Sequence, residues 1–104
     1  MFGYQIIKAA GRSMMPGIQH DAFLVVRPAR LYRINDIVQV AHPYYGAIVK
    51  RIVWGDNTAG FYLAGDSQAS LSVEQIGRIS FNQILGKVRW VINPKQLNEK
   101  IASF

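Results

Sequence analysis

The chain has 104 residues, of which 50% are hydrophobic and 17% are charged, a balance typical of one small globular domain over residues 1–104. It contains no run of roughly 18–20 apolar residues, so no transmembrane helix is predicted. The first seven residues lack the basic leader and long apolar run of a signal peptide, and we therefore expect a soluble, cytoplasmic protein. Cysteine is absent and His20 and His42 lack ligand spacing, so we expect no metal site and no cofactor.

The net charge of +6, from twelve Lys and Arg against six Asp and Glu, is compatible with nucleic acid, an anionic membrane surface or an acidic partner. The basic residues are scattered, however. The densest group is Arg27, Arg30 and Arg33, and the proline and tyrosine between them indicate a solvated loop. This pattern argues against nucleic-acid binding and leaves association with a membrane surface open.

Short segments rich in β-branched and alternating apolar residues dominate the chain. We predict strands at 23–27, 36–41, 47–54, 60–64, 75–80 and 84–92, with residues 55–58 forming a hairpin turn between the third and fourth. In the last strand we expect Ile84, Val88 and Trp90 to share one face. Asn93 and Pro94 predict the start of a helix at about 94–103. The order predicts a mainly β fold, a coiled antiparallel sheet or partly open barrel with a short C-terminal helix.

Three segments carry residues suited to catalysis: 11–16 (Gly-Arg-Ser-Met-Met-Pro), 48–52 (Ile-Val-Lys-Arg-Ile) and 63–67 (Leu-Ala-Gly-Asp-Ser). A serine hydroxyl is a weak nucleophile that needs an adjacent base, and lysine is a known alternative to histidine. A lysine serves only when its amine is neutral, and burial favours the neutral form. Lys50 meets this condition if it faces the sheet interior, in which case Arg51 faces the other way and stays solvated. Met14 and Met15 would form an apolar cover.

These segments, in this order, resemble the type I signal peptidase superfamily, which also includes the LexA-type self-cleaving repressors. The resemblance covers Ser-Met-x-Pro, Val-Lys-Arg and Gly-Asp followed by serine, and runs from about residue 11 to residue 92, the expected catalytic core. It implies a Ser–Lys dyad with Ser13 as nucleophile and Lys50 as general base. It also implies a serine that orients the lysine amine, for which Ser70 and the competing Ser72 are available.

The same resemblance implies a substrate-binding surface and a class of partner. Substrate-binding positions fall on Gly11, Met14, Ile48 and Val49, and the expected partner is a peptide or protein with an extended cleavage segment. The Ser13 N–H would be one oxyanion donor. Some members carry a hydroxyl two residues before the nucleophile as a second donor, where this chain has Gly11.

Three functions follow from these residues. The first is an endopeptidase that processes a leader or pro-peptide, similar to the soluble proteases that mature nickel superoxide dismutase. The second is a LexA-type self-cleavage or dimerisation module. The third is a catalytically silent binding domain of the same fold. The sequence does not predict the oligomeric state.

Overall fold

The computed structural model describes residues 3–94, which form one six-stranded antiparallel sheet. The strand order is β1-β2-β6-β3-β4-β5. The strands are β1 (Gln5–Lys8), β2 (Phe23–Arg27), β3 (Ile37–His42), β4 (Gly46–Asp56), β5 (Gly60–Ala64) and β6 (Ile84–Ile92). This confirms the mainly β, antiparallel prediction. The predicted C-terminal helix at about 94–103 lies, apart from Pro94, outside the described residues.

Most strands form where the sequence predicts them. Strands β2, β5 and β6 have the predicted bounds, and β3 and β4 agree within two residues. Strand β1 was not predicted. Its four residues are mostly exposed, and its strand conformation depends on pairing with β2, which a local sequence pattern does not reveal.

The prediction of a strand at 75–80 is wrong. Val73–Ile76 is a short helix, α1, whose N-cap Ser72 accepts from the Gln75 N–H while the Gln75 side chain accepts from the Ser72 N–H. Gly77 follows with a φ of 74° and ends the helix. Only Ile79 pairs with the sheet, through an isolated bridge to Phe61. Nowhere in residues 3–94 is there a helix with the length and hydropathy needed to cross a bilayer.

The prediction that Ile84, Val88 and Trp90 share one face is also wrong, because β6 contains two bulges. Gly86 pairs with Gln39 and Ile84 with Val40, so Leu85 is an extra residue that puts Ile84 and Val88 on opposite faces. Val26 pairs with Val88, but its neighbour Val25 pairs with Trp90, so Arg89 is an extra residue on β6. Such a bulge breaks the alternation of faces. Val88 therefore packs inward, whereas Trp90 points outward, is 56% exposed and lies against the ring of Tyr4.

Two hydrophobic clusters form the core, and alternate residues of β3 contact different clusters. Val38 and Val40 belong to the first, which also contains Tyr32, Ile52, Phe61, Leu63, Ile76, Ile79 and Ile84. Ile37 packs against the second, formed by Met14, Ile18, Ala22, Leu24 and Val26. Strand β3 is thus covered on both faces. The alternation in the sequence predicts a strand with one solvated face, so the burial of Gln39 is a correction to that reading.

The close packing of β6 on β2 gives a prediction about Gly86. A Cβ at this position would lie 2.7 Å from Val26 Cγ1 and 2.9 Å from the Arg27 carbonyl carbon. We expect Gly86→Ala to lower the free energy of unfolding by about 1–3 kcal/mol, because the backbone must move to admit the methyl group. Urea denaturation measures this. Gly17→Ala is the matched control, since its nearest neighbour would be Met14 O at 4.0 Å, and an equal loss in both variants would contradict the packing argument.

Candidate active site

A cavity of about 660 Å³ lies between β1, the turn that carries Ser13, the adjoining parts of β3 and β4, and the segment 69–71. Strands β1 and β4 are separated by three strands in the sheet order, so the sheet must curl to bring both to one cavity. All seven residues predicted as catalytic or substrate-binding line it: Gly11, Ser13, Met14, Ile48, Val49, Lys50 and Ser70. The remaining lining residues are Ile7, Lys8, Ala9, Ala10, Arg12, Ile18, Gln39, Ala47, Ala69 and Leu71.

Ser13 lies in a tight turn after β1. Gly11 has a φ of 84°, a conformation that favours glycine, and its N–H donates to His20 Nδ1 at 3.0 Å. A residue with a side chain, hydroxyl-bearing or not, would be strained at position 11. Met14 is buried in the second cluster and also lines the cavity, while Met15 is not part of the lining, so one methionine rather than two covers the site.

Lys50 is buried, with 4% of its surface exposed. It pairs with Val38 across β3 and β4, and cross-strand partners share a face, so its side chain leaves the sheet on the side of the first cluster. Desolvation lowers the pKa of Lys50 from its ordinary 10.5, because burial penalises the ammonium form. Within residues 3–94 the amine has neither a hydrogen bond nor an ion pair, so no hydrogen bond joins it to Ser13 Oγ in this structure.

Ser70 is at the cavity, but its hydroxyl bonds to backbone. Its single O–H donates to the carbonyl of Ser67, with the carbonyl of Ser13 also within 3.3 Å, and it does not bond to Lys50. The competing Ser72 caps α1 and is not part of the cavity lining. Gly65 lies against the same carbonyl, since a Cβ there would be 2.6 Å from Ser13 O. The segment after β5 therefore packs directly on the Ser13 turn.

Arg51 is held in an ion pair and is not freely solvated as predicted. Its Nε and Nη2 both donate to the carboxylate of Asp66 at 2.8 Å, and its Nη1 donates to the Asn35 carbonyl at 2.9 Å. The side-chain hydrogen bond to Asp66 raises the pKa of Arg51, and the same bond lowers the pKa of Asp66. Two parallel bonds fix the carboxylate in the guanidinium plane. Lys50 and Arg51 thus occupy opposite faces, one unpaired at the cavity and one tied to the segment that packs on Ser13.

One edge of β4 is open beside the cavity. Residues 46–51 pair with β3, but pairing with β5 begins only at Arg51. Among the described strands, none pairs with the other edge over 46–50. Ala47, Ile48, Val49 and Lys50 in this stretch all line the cavity. The backbone groups on this edge are available to an added strand.

Among the lining residues that sequence reasoning missed, two groups are informative. Ile7 and Lys8 belong to β1, which was not predicted. Gln39 lies in an alternating strand, where a polar residue is expected to face solvent, yet it is 8% exposed and borders the cavity. The available signal was an amide between two valines, which is uncommon in a strand buried on both faces.

The buried amine predicts that stability depends on pH. The pKa of Lys50 is below 10.5 in the folded protein and ordinary in the unfolded chain. Between these two values the unfolded chain holds a proton that the folded protein has released, so the free energy of unfolding rises with pH across this window. We expect urea titrations to show this rise in the wild type and in Lys87→Met, whose lysine pairs with Asp36 outside the cavity lining. The rise should be smaller in Lys50→Met, and an unchanged rise there would contradict the assignment.

Comparison with protein-family models matches residues 3–89 to the family described as Peptidase S24-like. Comparison with curated proteins and with solved structures gave no match. The matched range covers the Ser13 turn, Lys50, the segment 65–71 and all six strands, β6 up to Arg89. The resemblance drawn from the three sequence motifs is therefore confirmed, and the chain belongs to the Peptidase S24-like family.

Proposed function

We propose that this protein is a serine endopeptidase in which Ser13 is the nucleophile and Lys50 the general base. The observation that carries the proposal is the burial of Lys50, without an ion-pair partner in residues 3–94, in the lining of the cavity that also contains Ser13. Desolvation lowers the pKa of this amine, which moves it toward the neutral form that a base requires. Membership of a peptidase family is consistent with this chemistry.

The reaction follows from these two groups. Ser13 Oγ attacks the substrate carbonyl carbon while its proton passes to Lys50 Nζ, and the ammonium then protonates the leaving amine as the C–N bond breaks. Water next attacks the acyl-enzyme, gives a proton to Lys50 and releases the new carboxyl group, with the proton returning to Ser13. The Ser13 N–H has no partner within residues 3–94, so it is free to donate to the oxyanion. The Gly11 N–H is occupied by His20.

The substrate would bind as an added strand. The open edge of β4 over residues 46–50 offers backbone donors and acceptors next to Lys50, and β1 borders the cavity from the other side. An extended peptide in this position presents its backbone to Ser13, and its alternate side chains point to the two faces of the sheet. Ile48 and Val49 lie on opposite faces of β4, against the first and second clusters, and both line the cavity together with Met14.

Peptide binding without cleavage is a second candidate function. It is favoured by the absence of a hydrogen bond between Lys50 and Ser13 Oγ and by the Ser70 hydroxyl, which bonds to the backbone instead of the amine. Catalytic hydrogen bonds often tighten only when substrate binds, so this geometry is compatible with both functions. A third outcome, cleavage of the chain by itself, uses the same two residues.

The test is mass spectrometry of a random peptide pool incubated with wild type, Ser13→Ala, Lys50→Met and the control Lys87→Met. We expect wild type and Lys87→Met to cleave, and the two site variants to lose at least about 10³-fold in rate, because nucleophile and base act as a unit. Intact mass of each protein incubated alone detects self-cleavage. Cleavage that survives both site substitutions would contradict the proposal, and retention of selected peptides without cleavage by any protein would support the binding function.

The pH dependence of cleavage gives an independent check on the base. Since the free enzyme is active when Lys50 is neutral, kcat/KM should rise with pH and level off above an apparent pKa lower than the ordinary 10.5. A pH series on one cleaved peptide measures this. A rate that is flat from pH 6 to pH 10, or that falls over this range, would be inconsistent with a lysine base.

A further inference from the structure

The charged residues of the cavity lining are all basic. They are Lys8 on β1, Arg12 in the turn before Ser13, and Lys50 on β4, and no Asp or Glu lines the cavity within residues 3–94. The chain as a whole carries a net charge of +6. A concave site lined by one sign of charge raises the local concentration of ligands of the opposite sign. The lining therefore favours a substrate with acidic groups.

The three basic groups differ in what each has left to offer a ligand. The Lys8 ammonium is 3.9 Å from the Asp21 carboxylate and 5.9 Å from the centre of the Phe23 ring, so it already has a counter-ion. Lys50 is buried, and desolvation favours its neutral form. The Arg12 side chain is exposed and forms no ion pair or hydrogen bond within the part of the chain that the structure describes. Arg12 is thus the group with a charge available to a ligand.

The chemistry of the guanidinium indicates which acidic group it would bind. Arginine keeps its charge at every pH at which a protein is normally handled, and its planar fork matches the two oxygens of a carboxylate. The chain shows this pairing at Arg51, where two N–H groups donate to the carboxylate of Asp66. An aspartate or glutamate side chain of a bound peptide offers the same two oxygens to Arg12.

The position of Arg12 restricts where that acidic residue lies in the peptide. Arg12 directly precedes Ser13, and one residue of an extended peptide spans about 3.3 Å, so the acidic residue is within a few residues of the bond that is cut. It should not lie against Lys50, because a carboxylate beside that amine would favour the ammonium form and oppose its action as a base. Arg12 follows β1, on the side of the cavity opposite β4, which keeps the two groups apart.

We propose that Arg12 is a specificity-determining residue that binds an aspartate or glutamate side chain of the substrate, close to the cleaved bond. This inference rests on the proposed function for its substrate, but one of its tests does not need cleavage. The ion pair forms when the peptide binds and persists through the reaction. An acidic residue at the preferred position should therefore lower KM and leave kcat nearly the same as for the neutral peptide.

The first experiment compares short peptides in which each position in turn holds glutamate or glutamine, two side chains of the same shape that differ in charge. Wild type should favour glutamate at one position by about fivefold in kcat/KM, the effect of one accessible ion pair. Arg12→Gln should lose this preference. Arg30→Gln is the matched control, since Arg30 is also exposed but lies outside the cavity lining, and it should keep the preference despite the same loss of overall charge. Equal preferences in wild type and Arg12→Gln would overturn the proposal.

A binding measurement separates this inference from the catalytic one. Affinities of peptides with glutamate, glutamine or lysine at each position are measured for Ser13→Ala and for Ser13→Ala combined with Arg12→Glu, neither of which needs to cleave. The first protein should prefer glutamate and the second lysine at the same position, a reversal that a change in folding alone would not produce. This reversal supports the role of Arg12 even where wild type cleaves no peptide and the catalytic proposal fails. Equal affinities for the three peptides, or binding of no peptide by Ser13→Ala, would overturn it.

Discussion

The carbonyl oxygen of Ser13 joins two segments that are more than fifty residues apart in the chain. It accepts from the Ser67 N–H at 2.9 Å, the Ser70 hydroxyl is within 3.3 Å, and Gly65 approaches it too closely for a side chain to fit between. These contacts at a single carbonyl fix the turn that carries it. The cavity is bounded by this turn on one side and by the segment 69–71 on another, so its shape depends on that junction.

A second tie fixes the same segment from β4. Arg51 binds the Asp66 carboxylate through two hydrogen bonds. Arg51 directly follows Lys50 in β4, and these two basic side chains lie on opposite faces of the strand. The chain thereby uses neighbouring basic residues in two ways. Arg51 is paired with a carboxylate and holds the loop. Lys50 has no counter-ion among the described residues, so desolvation lowers its pKa without an opposing charge. A carboxylate placed beside Lys50 would stabilise the ammonium and remove the shift that a base requires.

Much of the sheet could be read from the sequence because strands such as β2, β5 and β6 have local signals: β-branched runs bounded by turn residues. What failed depends on contacts that the local sequence does not record. The extra residue Arg89 is visible only in its pairing with β2, and it decides that Trp90 points outward. The local pattern of segment 75–80 predicts a strand, but the reciprocal hydrogen bonds between Ser72 and Gln75 start a short helix there instead. Motif order placed seven residues at one cavity, whereas Gln39 was missed because an amide in an alternating strand is normally solvated.

The open edge of β4 has a consequence for how the protein behaves among other folded proteins. On a flat sheet, an unpaired run of backbone groups invites edge-to-edge association with any other exposed strand. Here the run 46–50 forms part of a concave wall, with β1 and the Ser13 turn opposite it. We expect a concave wall of this kind to receive a single extended chain more readily than the edge of a second sheet. The curl of the sheet should therefore reduce aggregation through the same edge that it keeps open to unfolded polypeptide.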